Sequence, residues 1–178
     1  MTRERFLFLC ASALPACFGV GCVSSRASGT GSWPGQVSFT TIRGFAYACE
    51  ADRDPTFVRA NGGLHPGNLT PGGVRLSPEQ VRRLLAALNT PKPMKGRTAC
   101  YVPHHAFVLY DAADRPVASV DVCFTCHFSK SRTPGLPRHF DYGALWQLVH
   151  ELGLPADTTP GYYRRLWEEK VRAAGARA

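Results

Sequence analysis

Between Ser77 and Asn89 apolar positions recur at helical spacing, with Val81, Leu84, Leu85 and Leu88 on one face. Ser77-Pro78-Glu79-Gln80 ahead of them combines a capping box with proline at the first helical position, which predicts a helix over 78–89. The same spacing links Tyr142, Leu145, Trp146, Val149 and Leu152, opened by Asp141 and stopped by Gly153. It appears again in Tyr163, Leu166, Trp167 and Val171 after Thr159-Pro160. Helices are therefore predicted near 141–152 and 160–173, each with one apolar stripe to bury.

Two other stretches read with the period of a strand. Val37 to Cys49 (VSFTTIRGFAYAC) is rich in β-branched and aromatic residues. His105 to Asp111 and Pro116 to Phe124 are joined by Ala112-Ala113-Asp114-Arg115 and predict a hairpin with Phe107 facing Val120 and Leu109 facing Ala118. Phe107, Leu109, Ala118, Val120, Val122 and Phe124 then share the face that helices would cover. From Asp52 to Ser77 the chain is broken by proline and glycine and reads as a long loop, with Ser129 to Pro137 a second one. The expected architecture is α+β: a small antiparallel sheet from 37–49, 105–111 and 117–124, including the hairpin at about 105–124, packed against three helices.

The N-terminus follows a different logic. Arg3, Glu4 and Arg5 precede an apolar run from Phe6 to Val20 and small residues before a cysteine, the build of an export signal. The run is shorter than the roughly 20 apolar residues of a membrane span, and no later segment reaches that length. Phe18-Gly19-Val20-Gly21-Cys22 resembles the end of bacterial lipoprotein signals, with Gly where Leu is usual, and Leu14-Pro15-Ala16-Cys17 is a second candidate. The resemblance implies a lipidated Cys22, membrane attachment through that lipid, and a place in the cell envelope facing the periplasm or exterior. A plain secretory signal, with Cys10, Cys17 and Cys22 as bystanders, is the alternative. The expected organisation is a signal over 1–22, a Ser/Gly-rich tether over 23–36 and one domain over 37–178.

The net charge of +8 comes from scattered arginines, with no dense basic run. Together with the signal, this argues against a nucleic-acid partner and leaves a cell-wall or protein partner undefined.

The candidate chemistry lies at the open end of the hairpin. Extending its register sets His104 opposite Cys123, Tyr101 opposite Cys126 and Cys100 opposite His127, so Cys100, His104, His105, Cys123, Cys126 and His127 fall in one neighbourhood. Four readings compete. Cys123-Phe124-Thr125-Cys126-His127 is a C-x-x-C-H, the attachment sequence of covalent haem, although it continues a strand and the methionines, Met1 and Met94, leave no usual second ligand. Cys49, Cys100, Cys123 and Cys126 form an even set suited to structural disulfides in an oxidising compartment, with Cys100 nearest Cys126 or Cys123. Cys100, His104, His105, Cys123 and Cys126 offer thiolate and imidazole ligands to zinc. Cys123 and Cys126 are finally a C-x-x-C redox pair, though without the following helix that lowers a thiol's pKa.

At these residues the chain also resembles a group of uncharacterised bacterial exported or lipoprotein sequences. Their shared pattern is Cys, aromatic, any residue, Pro, basic residue, His, then a strand pair and Val-Cys-Phe-x-Cys. Cys100-Tyr101-Val102-Pro103-His104-His105 and Val122-Cys123-Phe124-Thr125-Cys126 supply it here. The resemblance implies that Cys100, His105, Cys123 and Cys126 belong together, and implies no activity. Surface or capping roles are expected for His65, His139 and His150, and Asp121 is expected at an exposed edge or orienting a histidine. No phosphate loop, nucleophile elbow or H-E-x-x-H occurs. The expected protein is a non-enzymatic envelope lipoprotein whose cluster is a disulfide or metal site, with no cofactor ahead of zinc or haem; the alternative is a redox protein.

Overall fold

Alternating side chains in five short segments form one antiparallel sheet, with β1 at Thr41–Ala46, β2 at Val74–Arg75, β3 at His105–Tyr110, β4 at Pro116–Cys123 and β5 at Phe128–Ser131. Their spatial order is β2, β1, β3, β4, β5. This computed structural model describes residues 32–93 and 100–176. The signal over 1–22, the lipidation candidate Cys22 and residues 23–31 of the expected tether lie outside the described residues.

The hairpin register is the one the sequence predicts: Phe107 faces Val120 and Leu109 faces Ala118, with a bulge beyond Leu109 that sets Tyr110 against Pro116. A three- or five-residue loop would have broken this pairing, so the observed register keeps the apolar side intact. Phe107, Leu109, Ala118, Val120 and Val122 join Ile42 and Ala46 of β1 against the helices.

The three helices are α1 at Pro78–Asn89, α2 at Tyr142–Glu151 and α3 at Tyr162–Gly175. Ser77 accepts from the Gln80 amide while the Gln80 side chain accepts from the Ser77 amide, closing the capping box. Asp141 caps α2 by accepting from the Ala144 amide, and Gly153 takes the left-handed conformation just past its end. Leu84 and Leu88 of α1 and Leu145, Leu148 and Val149 of α2 fill the core on this side of the sheet. Among the described residues no helix is long and apolar enough to cross a membrane.

The opposite face holds a second core of Phe45, Tyr47, Cys49, Phe57, Val58, Ala106, Val108 and Tyr110. The Pro/Gly segment after Asp52 covers it, so this long loop is a lid of core residues and also supplies β2. Its fit requires glycine: a Cβ on Gly67 would lie 2.2 Å from the Ala48 carbonyl oxygen, and one on Gly73 would strike the Phe45 ring.

Two boundaries differ from the sequence reading. The last residues of the expected tether, 32–36, are folded against the domain: Trp33 is buried, its amide donates to the Asn89 side chain and its indole N–H donates to Ser131 Oγ. A large aromatic with a polar tip finds both an apolar slot and an acceptor there. Phe128–Ser131 is a strand where a loop was expected, because its backbone pairs with the end of β4.

Candidate functional site

The functional side chains gather where β1, β3 and β4 reach the same end of the sheet. β1 passes through a bridge at Tyr47 into a short 3-10 turn at Cys49–Ala51. The β1–β3 register sets Ala46 opposite His105, so Tyr47 and Cys49 arrive beside His104 and the Cys100–Pro103 segment. A two-way link follows: the Tyr47 amide donates to the His104 carbonyl, and the His104 side-chain Nδ1 lies 3.1 Å from the Tyr47 carbonyl oxygen.

At the other side β4 does not run on toward Cys100, as the extended register would have it. Cys123 pairs with Phe128, and residues 124–127 form the turn of a second hairpin. His127 has φ 45°, in the left-handed region where, after Gly, Asn, Asp and His are the residues most often found. The C-x-x-C-H is thus a β-turn connection rather than a strand.

Cys123 and Cys126 are buried, and their side chains are in hydrogen-bond contact. Val102 donates its amide to Cys126, and Cys100 and Cys126 are close enough to interact electrostatically, as are Cys49 and Cys123. Cys49, Cys100, Cys123 and Cys126 therefore share one region, but no disulfide joins any two of these described cysteines. The contact pairs Cys126 with Cys123, whereas the sequence reading favoured Cys100 as partner. Burial pushes the Cys126 thiol up to about 12, and the neighbouring Cys123 adds to this. Cys49 is raised further still by burial and by the adjacent Glu50 carboxylate.

His105 parts from this thiol cluster. His105 projects from the helix-facing side of β3, with Nε2 2.8 Å from the Pro155 carbonyl oxygen and its ring edge-on to Phe124, Trp146 and Tyr163. A carbonyl only accepts, so Nε2 carries the proton. Burial holds the imidazole neutral, with its pKa down at about 3. The expected ligand set of Cys100, His104, His105, Cys123 and Cys126 is therefore divided by the sheet: alternation places His105 on the face opposite Cys123.

The covalent-haem set also fails to converge. Cys123 and Cys126 are buried while His127 is exposed and lies against Tyr142. Thioether attachment needs both sulfurs and the imidazole to meet one macrocycle, and these side chains do not.

His104 meets a different partner, one that the sequence did not single out. Cys49, Glu50 and His104 each offer one ligand atom, and these atoms lie within 4.8 Å of one another. Glu50 Oε1 is 3.8 Å from His104 Nε2, and the Cys49 thiol contacts the same carboxylate. Glu50 Oε2 is buried without a hydrogen-bond partner. Tyr163 of α3 stacks on the His104 ring at 4.0 Å. Glu50 adjoins Cys49 in sequence, but only the 3-10 turn carries both side chains to His104.

Asp121 is a further departure. It is buried on the thiol face, where its Oδ2 accepts from the Phe57 amide at 3.1 Å and its Oδ1 has no partner. Burial pushes its carboxyl up to about 7, with Asp54 adding to the rise and Lys130 opposing it. His65 is buried too, serving a local backbone role: its Nδ1 accepts from the Gly67 amide. No family model, curated protein or solved structure matches this chain.

Proposed function

We propose that this chain is an exported, lipid-anchored cell-envelope protein with one non-enzymatic domain, in which Cys123 and Cys126 form a structural disulfide. The observation that carries the reading is the buried contact between these two thiols across the β4–β5 turn. The Cys22 signal pattern supplies the compartment, and that compartment favours oxidation of paired thiols.

Burial separates this role from thiol exchange. Only a thiolate attacks a disulfide, and a thiol raised to about 12 is protonated near neutral pH. Both thiols are buried only in the folded protein, so oxidation precedes or accompanies folding. Closure of the turn then shields the bond. A redox enzyme needs the reverse, a lowered thiol pKa and an exposed sulfur.

The test is intact mass and peptide mapping of protein expressed with its own signal and recovered from the envelope. Alkylation in denaturant is compared before and after reduction. The expected result is diacylglycerol on Cys22 and a Cys123–Cys126 peptide that alkylates only after reduction. A covalent haem mass, or both thiols alkylated without reduction, overturns the disulfide reading. Recovery in the soluble fraction with an unmodified Cys22 overturns the anchor.

A further inference from the structure

The Cys49, Glu50 and His104 side chains have no part in that reading, yet their arrangement is that of a ligand set. We propose that Cys49 Sγ, the Glu50 carboxylate and His104 Nε2 bind one divalent ion of the zinc class.

Three features carry this beyond a chance cluster. The first is tautomer. The Tyr47 carbonyl can only accept, so the His104 proton sits on Nδ1 and the lone pair of Nε2 faces Glu50. A metal-binding imidazole commonly donates its other N–H to a backbone carbonyl, which fixes both ring and tautomer.

The second is spacing. Zinc bonds of about 2.0 to 2.3 Å in tetrahedral geometry set donor atoms about 3.3 to 3.8 Å apart. Glu50 Oε1 and His104 Nε2 stand at 3.8 Å and all three ligand atoms lie within 4.8 Å, so a contraction of about an ångström brings them into range. The 3-10 turn holds Cys49 and Glu50, β3 begins beside His104, and Tyr163 supports the imidazole from the far side.

The third is the unsatisfied carboxylate. A buried oxygen without a donor is costly, and Glu50 Oε2 is one. A cation at this point would supply the missing positive charge. Thiolate, imidazole and carboxylate together suit Zn2+ or Co2+, whereas Ca2+ and Mg2+ take oxygen donors. As the sulfur–metal bond forms, the Cys49 proton passes to solvent and no redox change occurs. The Glu50 and His104 side chains are 20% and 18% exposed, leaving one side of the set open to solvent for entry and a fourth ligand.

The test titrates Co2+ and then Zn2+ into the full mature chain, reduced. It compares wild type, Glu50→Gln, His104→Gln and a Cys123→Ser/Cys126→Ser double variant. Wild type and the double variant should bind one Co2+ with a tetrahedral thiolate spectrum that Zn2+ abolishes. Glu50→Gln and His104→Gln should each bind at least about tenfold more weakly, with melting of the metal-free protein checked for each. Glu50 carries its side chain at the rim, so its variant decides the matter if His104→Gln does not fold. Absence of binding by wild type overturns the proposal. So does binding that survives Glu50→Gln but is lost in the double variant, which would place the ion on the hairpin thiols.

Discussion

A carboxyl group buried against tyrosines and a single amide should make the protein less stable as pH rises from 4 to 8. Asp121 is 2% exposed, and burial pushes its carboxyl up to about 7. The same group titrates near 3.9 in an unfolded chain. Below about pH 4 it is protonated in both states and has no effect. Between about 4 and 7 the unfolded chain loses the proton while the folded one keeps it, so stability falls by about 1.4 kcal/mol per pH unit. Above about 7 the loss is complete, about 4 kcal/mol in all. Lys130, opposite Asp121 on β5, moderates the effect, and Asp54, Tyr47 and Tyr101 face it from the loop, from the end of β1 and from the segment before β3. Asp121→Asn keeps an oxygen for the Phe57 amide but cannot ionise. Its own fixed cost, such as an unpaired amide proton, does not change with pH. The assay is urea denaturation of both proteins, reduced, at steps from pH 4 to 8, subtracting one profile from the other so that shared groups such as His65 and His105 cancel. The variant should gain on wild type by several kcal/mol across the range. Parallel profiles would refute the buried-carboxylate argument.

Trp33→Ala should cost about 3 to 5 kcal/mol, since it empties a buried slot between α1 and β5; a loss under about 1 kcal/mol in chemical denaturation would mean that residues 32–36 are dispensable. Ser77→Ala should cost about 1 kcal/mol by removing one half of the α1 capping box, and an unchanged denaturation midpoint would count against that cap. In the oxidised protein Cys126→Ser should cost about 2 kcal/mol, near the low end for a disulfide because the closed loop is short. The same substitution in fully reduced protein should cost less, and equal losses under both conditions would leave packing as the whole effect.

The helices, the hairpin and its apolar face were legible because each rests on local chemistry. Ser77, Pro78 and Gln80 satisfy helix-end donors within one turn, and the alternation from His105 to Cys123 admits one register that buries its apolar side. The sequence also placed Cys100, Cys123 and Cys126 in one neighbourhood, since hairpin pairing brings strand ends together whatever the details, and it left the position of Cys49 open. It could not assign faces at that end. A one-residue change in where β4 turns decides whether Cys126 extends a strand toward Cys100 or folds back beside Cys123, and backbone pairing with Phe128–Ser131 made that choice. Likewise His105 and Cys123 lie on opposite sides of the sheet only because β3 and β4 hold that register through their last pair.

Glu50, Asp121 and Trp33 show what tertiary structure alone decided. Glu50 reaches His104 through pairing between β1 and β3, which lie far apart in the chain. Asp121 is buried because the Pro/Gly segment covers a face that strand alternation leaves open, and its polar identity gave no hint of that lid. Trp33 looks like part of a tether until Asn89 and Ser131 supply its partners. Local propensity sets the three helices and the central hairpin, whereas β2 and β5 form through pairing with their neighbours. Where a polar side chain becomes a ligand, a strained charge or a surface group depends on desolvation and partners contributed by distant segments, and no periodicity in the chain encodes those.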